Sequence, residues 1–252
     1  MIDIHCHLLP GIDDGPETLD EALAMARLAV ANGITEAIVT PHIHAGRYEN
    51  TRDSVREATR TFRQQLQAHA IALRVRMAAE IRIGPELMTL VAAQQVPWLG
   101  SLEGYRLVLL EFPHSHIPVG SDKLVKWCLE RHIRPVIPHP ERNKEVIRHL
   151  EKITPFVQLG CLLQVTAGAV AGDFGPQAHR RACELLERGW VRFLASDAHN
   201  TDHRIPDLEP GRAAAAAIVG KAESWRLVRD NPRQILADTA ADSPGVTTNA
   251  VP

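Results

Sequence analysis

Short apolar segments that end in a histidine or a carboxylate recur along the whole chain. The first covers residues 2–4 and runs directly into His5 and His7. Side chains two positions apart on an extended strand lie on the same face, so these two imidazoles form a chelating pair suited to a divalent transition metal. Because the arrangement is repeated after later segments, the pattern favours a metal-dependent hydrolase.

Strand-like and helix-like segments alternate about seven times. The predicted strands cover residues 2–4, 34–40, 71–79, 107–110, 135–137, 162–165 and 191–195, and the predicted helices cover residues 19–32, 51–69, 85–95, 123–132, 143–150, 176–188 and a segment from 210 onward. Such alternation predicts a parallel sheet. Metal-type residues follow nearly every strand and no glycine-rich phosphate loop occurs, which favours a closed or nearly closed barrel over an open sheet.

Composition limits the remaining possibilities. The chain has 252 residues, of which 45% are hydrophobic, and a net charge of -2, which suits one globular domain and gives no basic excess for nucleic acid. We expect that domain over residues 1–240 and a disordered tail at residues 241–252. The sequence has no apolar stretch long enough for a membrane span, no signal peptide, and four cysteines without a CxxC pair, so we expect a cytoplasmic protein that does not insert into a membrane.

Candidate metal ligands follow the predicted strands or lie in the adjacent turn: His5, His7, Asp14, His42, Glu80, Glu111, His139, Asp197 and His199. A single zinc ion needs three or four ligands, so this number indicates two or three metals. Imidazoles and carboxylates without a thiolate fit Mn, Fe or Zn. Glu111 ends the wholly apolar segment 107–110, where burying an unpaired carboxylate would cost several kcal/mol and a bound cation would remove that penalty.

Two arginines, Arg142 and Arg204, follow candidate ligands in the strand-end loops. An arginine there can bind phosphate bidentately, although a surface salt bridge is the alternative interpretation. Cys128 and Arg134 have the cysteine-x5-arginine spacing of the cysteine-dependent tyrosine phosphatases. The segment between them has no glycine and is typical of a helix end, which argues against a phosphate-binding loop of backbone amides.

Several motifs occur in a characteristic order: the opening segment 2–15, then Glu80-Ile81-Arg82, Leu110-Glu111-Phe112-Pro113, His139-Pro140-Glu141-Arg142, Ala195-Ser196-Asp197-Ala198-His199-Asn200 and Asp230-Asn231-Pro232. Through these motifs, roughly residues 1–238 resemble the bacterial PHP-family (polymerase and histidinol phosphatase) protein-tyrosine phosphatases of the CpsB/YwqE type. The resemblance implies a distorted (β/α)7 TIM-like barrel with a trinuclear, manganese-dependent site. It also implies hydrolysis of phosphotyrosine on the tail of a bacterial tyrosine autokinase that regulates capsule or exopolysaccharide synthesis.

The resemblance assigns roles to individual positions. It implies three ligand groups, in which Glu80 bridges two metals: His5, His7, Glu80 and Asp197; Glu80, Glu111 and His139; and Asp14, His42 and His199. Arg142 and Arg204 match the phosphate-binding arginines of the family. Two metals can lower the pKa of a shared water toward 7, so we expect the resulting hydroxide to attack phosphorus in line while His42 or His199 assists departure of the tyrosinate.

Other functions are compatible with the same residues. A small-molecule phosphoesterase of the histidinol-phosphatase type could use the same scaffold, and so could a non-catalytic, metal-bearing regulator that binds the kinase. A metal-dependent amidohydrolase also uses His-x-His on a barrel, but it often needs a strand-end lysine where this chain has Glu80 and Glu111. The oligomeric state is left open by the sequence.

Overall fold

The computed structural model describes residues 1–237. The strands are β1 Ile2–Cys6, β2 Glu36–Val39, β3 His42–Ile43, β4 Arg74–Met77, β5 Glu80–Arg82, β6 Gly100–Leu102, β7 Tyr105–Glu111, β8 Ile133–Pro138, β9 Leu162–Thr166 and β10 Val191–Ala195. The α-helices are α1 Leu19–Ala31, α2 Arg52–Ala68, α3 Glu86–Ala92, α4 Ser121–Leu129, α5 Lys144–Arg148, α6 Thr154–Leu159, α7 Ala167–Ala171, α8 Gly175–Glu187, α9 Glu209–Val219, α10 Lys221–Trp225 and α11 Asn231–Ala237. The tail predicted at residues 241–252 lies outside the described residues.

The parallel strands form a closed circuit. One sheet has the order β1-β2-β4, and the other runs β10-β9-β8-β7-β5-β3. Strands β2 and β3 occupy one position of the circuit, one after the other along the chain, and β4 and β5 together occupy the next position. Strand β2 pairs with β4, and β3 pairs with β5. The amide of Asp197 donates to the carbonyl of His5, and that of His7 donates to Ala198, both at 2.8 Å, so the chain after β10 pairs with β1. The predicted α/β barrel with seven strand positions is confirmed.

Two apolar clusters hold the barrel together. The larger cluster packs helices such as α1 and α8 against the outer face of the strands. The smaller cluster contains residues from five strands of the circuit, and its helical members, Ile235 and Leu236, both come from α11. This smaller cluster therefore fills the barrel interior, and α11 covers it near the amino ends of the strands. Gly100 fits closely against this cover, because a Cβ there would lie 2.4 Å from the carbonyl oxygen of Ile235.

Local sequence signals explain most element boundaries. Thr18 caps α1 and forms a capping box with Glu21, as the sequence predicts for a helix beginning at residue 19. The predicted strands 34–40 and 71–79 are shorter in the structure, where β2 covers Glu36–Val39 and β4 covers Arg74–Met77. Strand β6, which forms an antiparallel hairpin with β7, is not predicted by the sequence pattern. Among the described residues, no helix is both long and apolar enough to cross a membrane.

Candidate metal centre

The nine predicted metal ligands lie together at the carboxyl ends of the barrel strands. Their donor atoms form overlapping groups within which all atoms lie within 4.8 Å of one another: His7, Asp14, His42 and His199; His5, His7 and Glu80; His5, His139 and Asp197; and His42, Glu80 and Glu111. All of these side chains are buried except Asp14, which lies at the rim. We name this set the nine-residue cluster. The structure thus brings together every residue of the predicted set.

A local irregularity in β1 directs both opening histidines to the cluster. Ile4 packs in the barrel interior, and Cys6 belongs to the outer cluster. The register against β2 shifts between Asp3 and Cys6, which allows His5 to face inward directly after Ile4. Cys6 points away from the two imidazoles, and its thiol donates to the carbonyl of Ile38.

Glu80 lies at the middle of the nine-residue cluster. Its Oε2 atom lies 3.3 Å from Nε2 of His5, 3.4 Å from Nε2 of His7 and 3.2 Å from Nδ1 of His42. Its Oε1 atom lies 2.8 Å from Nε2 of His139. Ligand atoms that each lie about 2.1 Å from one metal are separated by about 3.0 to 3.4 Å, and the three distances from Oε2 fall in this range. A carboxylate with one oxygen toward three imidazoles and the other toward a fourth has the geometry of a bridging ligand.

Two buried carboxylate oxygens of the nine-residue cluster indicate whether a cation fits there. Oε2 of Glu80 and Oε2 of Glu111 are buried and accept no hydrogen bond from the described part of the chain. Both oxygens face positive or imidazole groups, such as Arg82 at 3.1 Å from Oε2 of Glu111, without forming a hydrogen bond. A buried carboxylate oxygen without a hydrogen bond is costly, and a divalent cation among the neighbouring imidazoles would satisfy both. The donor chemistry of the residues present therefore fits divalent metals.

The grouping of ligands around each metal remains a prediction. Glu111 falls in a group with His42 and Glu80, where the family resemblance placed it with His139. His139 falls in a group with His5 and Asp197. His42 reaches two groups, because its Nδ1 faces Glu80 while its Nε2 lies 3.3 Å from Asp14.

Three hydrogen bonds orient the imidazoles. Nδ1 of His5 lies 2.7 Å from Oε1 of Gln164, and Nδ1 of His7 lies 2.7 Å from Oδ2 of Asp13. Nδ1 of His199 lies 2.9 Å from the carbonyl of Asp197. An acceptor at Nδ1 favours the tautomer with the proton there, which leaves Nε2 free to bind a metal. Gln164 is not among the site residues predicted from the sequence. The only feature that could have indicated it is a polar side chain within an otherwise apolar strand.

Buried charges of opposite sign determine the protonation of the cluster. Burial and the nearby Glu80 carboxylate raise the pKa of Glu111 to about 7. Burial alone would lower the pKa of His7, but the hydrogen bond with Asp13 and the contact with Glu80 outweigh it and raise the pKa to about 10. The polypeptide alone therefore balances its carboxylates with a proton on His7, and a bound cation would take over that role.

Two other histidines of the cluster are neutral. Burial and the positive charge of Arg142 lower the pKa of His139 to about 3. Burial and the neighbouring His7 lower the pKa of His199 to about 4. A neutral imidazole is the form that binds a metal, so both side chains are in the required protonation state near neutral pH.

Three arginines lie beside the nine-residue cluster. Arg142 and Arg204 both bind Oδ2 of Asp197, the latter at 2.6 Å, and Arg82 lies 3.1 Å from Oε2 of Glu111. Burial would raise the pKa of Asp197, but the two guanidinium groups outweigh it and hold the pKa well below its usual value. The buried Nε atoms of all three arginines have no hydrogen-bond partner among the described residues. Three positively charged guanidinium groups beside the cluster fit an anionic substrate group.

Two candidate ligands have unusual backbone conformations. His139 and Asp197 adopt positive φ angles of 37° and 52°. Histidine and aspartate tolerate this left-handed region better than most residues, but the conformation still costs free energy. It persists because both residues follow barrel strands and are held by backbone hydrogen bonds, from His139 to the carbonyl of Gln164 and from Asp197 to that of His5.

The cysteine-based alternative does not fit the structure. Cys128 lies within helix α4 and is fully buried, and burial raises the pKa of its thiol to about 12. Arg134 lies on β8, where it pairs with Glu103 and stacks over Tyr105. A nucleophilic cysteine needs an accessible thiolate of low pKa, so Cys128 cannot serve as one.

Comparisons with known proteins agree with this geometry. The capsular polysaccharide synthesis family CpsB/CapC matches residues 1–237. A tyrosine-protein phosphatase, YwqE of Bacillus subtilis, is 39% identical over 204 residues, which cover 81% of this chain and 79% of that protein. A tyrosine-protein phosphatase, CpsB of Streptococcus pneumoniae, is 28% identical over 247 residues, which cover 94% of this chain and 99% of that protein.

Solved structures extend the similarity to the fold. A structure from a study of YwqE from Bacillus subtilis and CpsB from Streptococcus pneumoniae, described as unique metal-dependent tyrosine phosphatases, matches with a TM-score of 0.87 and 34% identity and covers 94% of this chain and 95% of its own. A histidinol phosphate phosphatase from Lactococcus lactis matches with a TM-score of 0.52 and 13% identity, covering 88% of this chain and 93% of its own. At that identity the second match shows a shared fold alone.

Proposed function

Because the chain belongs to the CpsB/CapC family of capsular polysaccharide synthesis proteins, we propose that it is a metal-dependent protein-tyrosine phosphatase. The observation that carries the proposal is the position of three arginines beside a buried cluster of imidazoles and carboxylates. The imidazoles and carboxylates suit divalent cations, and the arginines suit a phosphoryl group. The tyrosine-protein phosphatases YwqE and CpsB among the relatives support the same substrate class.

The proposed ligands are the nine residues of the cluster, and the proposed metal is Mn²⁺, with Fe or Zn as alternatives. Divalent cations held there would supply a water of lowered pKa and positive charge for the phosphoryl oxygens. The carboxylate of Glu80 is the proposed bridge, since its two oxygens face different imidazoles.

Arginines of the site would bind and orient the phosphoryl group. Arg142 and Arg204 approach Asp197 from two different loops, so their guanidinium groups lie on the mouth side of the cluster. Arg142 also stacks over the ring of Phe174 at 4.8 Å, which restricts its orientation. Positive groups fixed before the reaction can stabilise the charge that develops on the equatorial phosphoryl oxygens.

Departure of the alcohol requires little help from the protein. The phenol of tyrosine has a pKa of about 10, so tyrosinate leaves more readily than an aliphatic alkoxide. His42 and His199 are the proposed groups that would assist the leaving oxygen, because both lie beside the rim residue Asp14. Breaking the phosphorus–oxygen bond needs no covalent enzyme intermediate in this scheme.

The proposed physiological substrate is the phosphorylated tail of a bacterial tyrosine autokinase that regulates capsule or exopolysaccharide synthesis. The match to a capsular polysaccharide synthesis family supports this choice. The proposed location is the cytoplasm, which is supported by four cysteines that form no disulfide within the described residues.

An assay of metal dependence tests the proposed function. A phosphotyrosine peptide should be hydrolysed by the purified protein, activity should disappear after chelation, and added Mn²⁺ should restore it. Iodoacetate should leave activity intact because Cys128 is buried. Inhibition by the thiol reagent together with indifference to chelator would contradict the mechanism.

Other substrates, assayed alongside the phosphotyrosine peptide, test the alternative functions. Histidinol phosphate, assayed at matched concentration with the same Mn²⁺, measures small-molecule phosphoesterase activity. A preference for histidinol phosphate would replace the tyrosine phosphatase assignment, and absence of turnover with bound metal would favour a non-catalytic regulator.

A further inference from the structure

An open groove of about 560 Å³ lies between helices α5 and α8, beside the barrel mouth. Its lining residues are Lys144, Ile147, Arg148, Gln177, Arg180, Arg181 and Glu184. We name it the α5–α8 groove. None of these residues belongs to the nine-residue cluster or to the three arginines beside it.

The α5–α8 groove is strongly basic although the whole chain carries a net charge of -2. Four basic side chains line it against one carboxylate, Glu184, which pairs with Arg181. Lys144, Arg148 and Arg180 are exposed and form no ion pair with any described residue. The groove therefore presents three uncompensated positive charges to solvent, which attract an acidic partner.

The walls of the groove are fixed in place. Arg181, which is 9% exposed, donates from Nη2 to the carbonyl of Ile147 at 2.6 Å and so ties α8 to α5. Asn143 caps α5 by accepting from the amides of Glu145 and Val146. Its Nδ2 also donates to the carbonyl of Pro113, in the loop after β7. Because these bonds are internal, the groove exists before any partner binds.

Both walls begin at the proposed phosphate-binding site. Lys144 is two residues after Arg142, so the two Cα atoms are at most about 7 Å apart. Phe174, over which Arg142 stacks, directly precedes α8. A chain bound with its phosphoryl group at Arg142 can therefore continue into the groove within one or two residues.

We propose that the α5–α8 groove binds acidic residues that flank the phosphotyrosine in a polypeptide substrate. The inference rests on the proposed function and adds a substrate class to it, namely acidic peptides. Carboxylates close to the phosphotyrosine in the sequence would pair with Lys144, Arg148 and Arg180. The interactions are exposed and ionic, so they change KM more than kcat and weaken at high salt.

Two phosphotyrosine peptides test the proposal with the manganese-loaded protein. They share one sequence, except that the flanking positions carry Asp in one and Asn in the other. The wild type should show a lower KM for the acidic peptide. In the double variant Arg148→Gln/Arg180→Gln, KM for the acidic peptide should rise about 3- to 10-fold, the effect of two exposed ion pairs, and KM for the neutral peptide should not change.

A matched control removes the same charge elsewhere. Arg27 and Lys221 are exposed, form no ion pair with a described residue and do not line the groove. The variant Arg27→Gln/Lys221→Gln should keep the preference for the acidic peptide. Hydrolysis of p-nitrophenyl phosphate within twofold of wild type in both double variants would show that the metal centre is intact.

The outcomes separate the two proposals. If the wild type hydrolyses both peptides with equal KM, or if Arg148→Gln/Arg180→Gln retains the preference, the docking proposal is overturned while the phosphatase assignment stands. If the wild type binds phosphatidylserine vesicles through these arginines and treats the peptides alike, the groove is a membrane contact and the docking proposal is also overturned. If neither peptide is hydrolysed, the proposed function fails and the docking proposal fails with it.

Discussion

The barrel interior is apolar near the amino ends of the strands and ionisable at their carboxyl ends. The first region consists of side chains such as Leu107, Phe193 and Ile235, which are fully buried and belong to one apolar cluster. The second region consists of the nine-residue cluster and three arginines, of which Glu80 and Asp197 are as inaccessible as the apolar residues. Equal burial therefore has opposite consequences in the two regions.

Burial at the apolar end supplies stability, because each large side chain removed from water contributes about 1.5 to 3 kcal/mol. Burial at the mouth removes the hydration of many charged groups, a cost that the polypeptide offsets with ion pairs such as those of Asp197 with Arg142 and Arg204. A fold tolerates such a region when a bound cation compensates it. Substitutions at the two ends should therefore separate stability from activity.

The largest expected effect follows from Glu80→Gln at the mouth. An amide cannot bridge two cations, so we expect kcat/KM for a phosphotyrosine peptide to fall by at least about 10³-fold, the upper end of what one electrostatic group contributes. Bound manganese, measured by elemental analysis, should decrease as well.

Asp53→Asn serves as the matched control for this prediction. Asp53 is an exposed carboxylate that pairs with Arg56 on α2. It should change neither activity nor metal content. Activity of Glu80→Gln within tenfold of wild type would show that the central carboxylate is not a bridging ligand.

The contrast between the two regions was largely readable from the sequence. Each strand position has an apolar segment, and a ligand candidate follows it at the carboxyl end at every position except that of β9, as Glu111 follows residues 107–110. Parallel strands bring their carboxyl ends to one rim, so spacing alone predicts that these residues meet. Strand β6 was missed because residues 100–102 have no strand pattern of their own and pair only through a hairpin with β7.

Arg142→Ala should have the next largest effect. Removing one preorganised positive group from the phosphoryl oxygens should lower kcat about 10²- to 10³-fold. Metal content should be retained, since Arg204 still binds Asp197. As a control, Arg131→Ala, at an exposed position after α4, should change neither kcat nor metal content. Loss of metal in Arg142→Ala would assign this arginine a structural role in holding Asp197.

Leu107→Ala tests the apolar end. Leu107 is fully buried and pairs in register with Gly100 of β6. Deleting its side chain should lower the free energy of unfolding by about 3 kcal/mol through lost burial and a residual cavity. The kcat per folded molecule and the metal content should remain within twofold of wild type. A comparable loss of kcat would mean that the two ends of the barrel are coupled.

The exposed Met88 provides the comparison for Leu107. Met88, on α3, is 39% exposed, so Met88→Ala should change the free energy of unfolding by no more than about 0.5 kcal/mol. Urea unfolding, analysed with one m-value for both variants, gives free energies of unfolding that can be compared directly.

The hydrogen bonds that orient the histidines were not readable from the sequence. Gln164 and His5 are separated by 159 residues and meet because β9 and β1 both line the barrel. A polar side chain in a strand indicates neither its face nor its partner before the strands are arranged. Asp13 lies next to Asp14 in the turn after β1, but nothing in its spacing distinguishes a partner of His7 from a metal ligand such as Asp14.

The smallest effect at the mouth is expected for Gln164→Leu. This substitution removes the acceptor for Nδ1 of His5, so neither the tautomer nor the orientation of the His5 ring is fixed by that hydrogen bond. Manganese affinity, measured by titration in a metal buffer, should fall about 10- to 100-fold, which is about 1.4 to 2.7 kcal/mol. At saturating manganese, kcat should approach that of the wild type.

Two further variants decide how that result is interpreted. Gln164→Glu retains an acceptor oxygen and should retain manganese affinity, whereas Gln67→Leu, at an exposed position of α2, should leave it unchanged. If Gln164→Leu binds manganese as tightly as wild type, packing alone orients His5, and the ionisable end depends less on hydrogen bonds than its geometry indicates. If the glutamate variant restores what the leucine variant loses, the acceptor oxygen itself prepares His5 to bind metal.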